Sequence, residues 1–92
     1  MKMLIIGCGR VGAELAMRLY RNGHTVVVID RSEAAFQNLP VDFRGRTIQG
    51  EALNKDVLLR AGIEDTEGLA DVTKNDTLKT VVGKLAGKYF GF

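Results

Sequence analysis

Tryptophan is absent from this 92-residue chain, and cysteine, histidine and proline occur once each. A lone cysteine cannot close an intramolecular disulfide, which points to a reducing compartment and a cytoplasmic location. One cysteine and one histidine also leave no pair at transition-metal spacing, so no metal centre is expected. Long hydrophobic runs are missing as well. The longest, Met3 to Ile6 and Val26 to Ile29, hold four residues each. That is far below the ~20 needed to cross a bilayer, and the run ahead of Gly7-Cys8 is below the ~7–15 of a secretion signal. Neither sign of charge dominates: 13 Lys and Arg stand against 11 Asp and Glu, for a net charge of +2. Cations spread this evenly make no stripe for nucleic acid. With no Pro- or Ser-rich linker, residues 1–92 read as a single small domain.

What is present is an alternation of apolar runs with segments of helical period. Met3 to Ile6 is fully apolar and stops at Gly7, as in a strand buried on both faces. From Arg10 to Arg21, Val11, Leu15, Ala16 and Leu19 fall at helical spacing, and Asn22-Gly23 ends the helix. Thr25 to Ile29 is β-branched throughout. Ser32 is placed to cap a short helix over Glu33 to Leu39, which Pro40 ends. Arg46 to Gln49 reads as a third strand, and Leu53, Val57, Leu58 and Ala61 as a helix stopping at Gly62. Leu69 to Thr73 is a fourth strand interrupted by Asp71. Leu78, Val81, Val82, Leu85, Ala86, Tyr89 and Phe90 form a last helical stripe. Four βα units in succession predict an α/β fold, a Rossmann-like doubly wound parallel sheet in the order 3-2-1-4.

Gly7-Cys8-Gly9-Arg10-Val11-Gly12 is G-x-G-x-x-G, and its context is informative. It follows a strand, opens a helix, and is joined by Asp30 at the end of the next strand, 18 residues after Gly12. Gly7 turns the chain off the strand, Gly9 lets the backbone approach a pyrophosphate, and Gly12 lets the helix pack on the sheet. The helix N-terminus offers free N–H groups to phosphate. Asp30 accepts hydrogen bonds from ribose hydroxyls and repels a 2′-phosphate, favouring NAD(H) or an adenine mononucleotide over NADP; Arg31 beside it blunts that preference. The plainer reading is a tight strand–helix turn followed by a surface aspartate.

These residues resemble the Trk/Ktr-type potassium-transport regulatory domains (TrkA-N, RCK or KTN). The resemblance runs through Gly7 to Gly12 with Arg10 in fourth place, Gly23-His24-Thr25-Val26 and Val28-Ile29-Asp30-Arg31. It continues through Gly50-Glu51-Ala52, Leu59-Arg60-Ala61-Gly62-Ile63-Glu64-Asp65 and Val72-Thr73-Lys74-Asn75-Asp76. It implies that residues 7–12 hold phosphates, with Arg10 near a terminal phosphate, and that Asp30 holds the ribose. Glu51 and Ala52 would lie by the adenine, and Thr73 and Lys74 would face the distal half of the ligand. The ligand would be NAD(H), or else ATP, ADP or AMP. The implied function is a ligand-controlled switch, homo-oligomeric and coupled to a membrane potassium transporter, with no catalytic residues. Glu51 stands where the family usually has Asp, and Lys74 where it usually has Asn. Family domains run on for two further βα units past position 92, so a partial domain is implied, its fourth strand an open edge.

Two other readings stay open on the residues alone: the cofactor half of an NAD(P)-dependent dehydrogenase, and a scaffold used only for protein association. Cys8 reads as a small spacer or, at a helix N-terminus, a reactive thiol. His24 reads as a junction residue. Glu64, Asp65, Glu67 and Asp71 read as one solvated acidic loop, and Arg31, Arg44 and Arg46 as ordinary surface or a phosphate cluster at the sheet edge.

Overall fold

The computed structural model describes residues 1–52, 54–72 and 89–91. β1 (Lys2–Ile6) leads through α1 (Arg10–Arg21) to β2 (Thr25–Asp30). A 3-10 segment (Glu33–Asn38), β3 (Arg46–Gln49), α2 (Lys55–Arg60) and a 3-10 turn (Ile63–Asp65) follow. β4 (Gly68–Asp71) and β5 (Tyr89–Gly91) complete one parallel sheet, ordered β3-β2-β1-β4-β5. The expected order 3-2-1-4 is therefore present. The expectation of an open fourth strand is corrected: β5 pairs along β4, Leu69 opposite Tyr89 and Asp71 opposite Gly91. Tyr89 and Phe90 are strand residues, not the end of a helical stripe; the rest of that stripe lies outside the described residues.

Successive strand residues point to opposite faces, and the sheet separates two cores by that rule. Leu4, Ile6, Val27, Ile29 and Leu69 pack with Ala52, Val57, Leu58, Ala61 and Ile63 on the α2 side. Ile5, Val26, Val28 and Ala70 pack with Cys8, Ala13 and Ala16 on the α1 side. Strands covered on both faces must be apolar at every position, which is why β1 and β2 read as unbroken runs.

α1 has the expected bounds and a buried face rotated from the expected one, sharing Ala16 with it. Its buried residues are Gly12, Ala13, Ala16 and Met17, while Val11 is 60% exposed. Small side chains let the helix sit close on the sheet, and that moves the larger Leu15 and Leu19 to the margin of the core. At its far end Gly23 takes φ +87 and the Gly23 and His24 N–H groups close back on the carbonyls of Tyr20 and Leu19. α2 is shorter than expected and is capped by Asn54, whose Oδ1 accepts from the N–H groups of Asp56 (2.8 Å) and Val57 (3.2 Å).

Two further expectations are corrected. Ser32 caps nothing with its side chain, and the segment it opens is 3-10 rather than α-helical. Asp71 is no part of a solvated loop: it is the last residue of β4 and fully buried. Glu64, Asp65 and Glu67 are exposed as expected, and Glu67 accepts from the Lys2 N–H at 3.0 Å.

Candidate functional site

At the carboxyl edge of the sheet, β1 has β2 on one side and β4 on the other. Connections leave this point in opposite directions and open a crevice above the strand ends. Gly7 stands at its floor with φ +102, a left-handed conformation that a side chain resists. Its N–H donates to the Ile29 carbonyl at 2.8 Å, which fixes the turn to the end of β2.

Gly12 and Gly9 are glycines for different reasons. A Cβ on Gly12 would collide with the Gly7 carbonyl and come within 3.1 Å of Val72 Cγ2. The absent side chain brings α1 down onto the strand ends. Gly9 has φ −72 and ψ −165, a conformation any residue adopts, and a Cβ there would meet nothing within 4 Å. The fold itself makes no demand for glycine at position 9; what its bare backbone leaves is open space above the turn. Gly9 also begins α1 without any side-chain cap, and its carbonyl accepts from the Ala13 N–H. The first-turn N–H groups thus face that space with the positive end of the helix dipole.

Asp30 is turned toward this loop. One carboxylate oxygen accepts the Cys8 N–H at 2.7 Å and the other the Ser32 N–H at 2.8 Å. A carboxylate has about four acceptor positions, so capacity remains for further donors. The Cys8 side chain turns the other way, into the α1-side core, and is fully buried. Burial first, and the Asp30 charge second, push its thiol pKa up to about 11, which excludes the reactive-thiol reading. Asn38, which the sequence does not single out, braces the same loop: its side-chain amide donates to the carbonyls of Cys8 and Ala35, both at 3.1 Å. No periodicity or spacing marks an asparagine for that task.

Arg10 and Val11 are exposed on the first turn of α1. Arg10 borders an open cleft of about 400 Å³ shared with Asn38, Met17 and Arg21. Arg31 and Glu51 are brought together, Nε to Oε1 at 3.1 Å, both largely exposed. Ala52 lies in the α2-side core, so its side chain does not face the crevice. Thr73 and Lys74 lie outside the described residues. The cluster of Arg31, Arg44 and Arg46 is not assembled. Arg46 pairs with Val27 at the opposite end of β3 from Gln49, which pairs with Asp30, and its guanidinium donates to the Arg60 carbonyl at 3.2 Å.

A parallel sheet wound on both faces, with a glycine turn and an acidic strand end meeting at its switch point, defines the Rossmann-like class of doubly wound α/β domains. Within that class the sequence is specific: residues 3–91 match the TrkA-N domain, and the chain belongs to that family. The Trk system potassium uptake protein TrkA of Streptomyces coelicolor is 41% identical over 91 residues, covering 99% of this chain and 41% of that protein. The chain thus spans about two fifths of that relative's length. In fold it is similar to the AMP-bound Kef CTD of Shewanella denitrificans, with TM-score 0.79 and 23% identity, covering 99% of this chain and 58% of that one. It is also similar to the TrkA-N domain of the inner membrane protein ybaL of Escherichia coli, with TM-score 0.71 and 19% identity, covering 98% and 86%. No helix among the described residues is long and apolar enough to cross a membrane.

Proposed function

We propose that this domain binds an adenine nucleotide, NAD(H) or one of AMP, ADP and ATP, and serves as the ligand-sensing part of a potassium-transport system. In this reading Gly7, Cys8, Gly9, Arg10, Val11 and Gly12 form the phosphate cradle, Gly7 and Cys8 shaping the turn while the first-turn N–H groups of α1 face the phosphates. Asp30 takes the ribose hydroxyls, Arg31 and Glu51 border the adenosine, Ala52 contributes backbone alone, and Thr73 and Lys74 serve the distal half. The observation that carries the reading is the Asp30 carboxylate, held by the Cys8 and Ser32 N–H groups beside an uncapped helix start with open space over Gly9. The naming of its Streptomyces relative as a potassium uptake protein, and AMP in the similar Kef domain, lend support.

The domain's task is regulation rather than turnover. A ligand that binds two conformations with different affinity shifts their populations, and a coupling of about 1–3 kcal/mol suffices to signal. The recipient would be a membrane potassium transporter, reached from the cytoplasm by a homo-oligomer of such domains. Protein purified under native conditions and then denatured should release an adenine nucleotide, identified by mass spectrometry. A protein that releases none, and takes up neither NADH nor AMP when offered them, overturns the proposal.

A further inference from the structure

The Arg31–Glu51 pair has a consequence for which adenine nucleotides fit, and it rests on the reading of Asp30 as the ribose ligand. A 2′-phosphate on that ribose would need donors in the segment just after β2. Two stand nearest: the Ser32 N–H and the Arg31 guanidinium. The first is taken by a carboxylate of the chain, and the second has its charge matched by one through a single one of its N–H donors. Asp30 takes the Ser32 N–H at 2.8 Å, and Glu51 takes Arg31 Nε at 3.1 Å. The backbone brings the two residues alongside each other, since Gly50, just before Glu51, donates its N–H to the Asp30 carbonyl at 2.9 Å. Gln49 Nε2 further ties the Arg31 carbonyl at 3.3 Å. Arg46 is occupied at the far end of β3. A 2′-phosphate would therefore meet two negative charges and an arginine whose charge is already matched.

We infer that Glu51 is a specificity-determining residue: by pairing with Arg31 it weakens 2′-phosphorylated adenine nucleotides relative to NAD(H) and 5′-adenylates. The arginine that follows Asp30 is the natural receptor for a 2′-phosphate, and its pairing with Glu51 weakens it in that role.

The test compares 5′-AMP with adenosine 2′,5′-bisphosphate, which differ by the 2′-phosphate alone, in calorimetric titrations of the unaltered protein, Glu51→Gln and the double variant Arg31→Gln/Glu51→Gln. Both side chains are exposed, so loss of fold does not intervene. The unaltered protein should prefer 5′-AMP. Glu51→Gln should raise the ratio of bisphosphate to AMP affinity by about two- to fivefold, the scale of one exposed charge pair, and the double variant should bring it back. A smaller rise overturns the inference, as does a rise that persists without Arg31 or an unaltered protein that already prefers the bisphosphate. If the unaltered protein binds neither compound nor NADH, the nucleotide reading itself falls and takes this inference with it.

Discussion

Position 9 separates what the fold demands from what the proposed ligand demands. Its φ of −72 is open to any residue, and a Cβ there meets no neighbour within 4 Å, so a substitution carries no strain. Gly9→Val should leave the melting temperature within a few degrees, by thermal denaturation, while removing nucleotide binding. Gly12→Ala should cost the fold, and binding with it, because the turn it distorts is the proposed cradle. Its Cβ runs into the Gly7 carbonyl, so a loss of about 1–3 kcal/mol is expected from chemical denaturation. Asp30→Ala should weaken adenosine ligands by about 1–3 kcal/mol. Cys8 makes a prediction of its own in pH. Its thiol, raised from 9.0 to about 11 in the fold, holds its proton more tightly when folded. The resulting stability is fully present below pH 9 and is lost as pH rises through about 11, on the order of 2 kcal/mol. Cys8→Ala should flatten that alkaline slope; an unchanged slope would place its cause elsewhere.

At the scale of elements, sequence and structure agree where a residue's chemistry is local. β1 and β2 declare themselves because double burial demands apolar residues at every position. α1 declares itself because Gly9 and Asn22-Gly23 bracket it. The buried face of α1 was legible at Gly12 and Ala16 but not at Ala13 and Met17, since small residues carry little hydrophobic signal and the larger Val11 stripe pointed elsewhere. Nor was the 3-10 geometry after Ser32. Asp30, a strand residue, takes the Ser32 N–H, and the six-residue segment lacks the side-chain cap that Asn54 gives the equally short α2. β5 spans three residues, too short to show a period of two. Of the site, the glycine turn and Asp30 were legible from spacing. The Asn38 brace and the Arg31–Glu51 pair were not, because long-range contacts leave no trace in local pattern. α2, six residues long, depends on its cap: Asn54→Ala should cost about 1 kcal/mol in denaturant unfolding.

For the whole molecule, one sheet joins every contributor. Asp30 ends β2, the glycine turn leaves β1, and Val72 after β4 stands against Gly12, so the turn adjoins elements on both sides of the switch point. Anything that binds only the folded chain stabilises it by mass action, about 2.7 kcal/mol at a hundredfold excess over the dissociation constant. The most direct measurement is calorimetric titration of the protein and of Gly9→Val with NADH and with AMP. A phosphate cradle at residues 7–12 predicts saturable one-to-one binding of at least one of them to the unaltered protein and none to Gly9→Val of equal melting temperature. Equal affinity in the two proteins would contradict it.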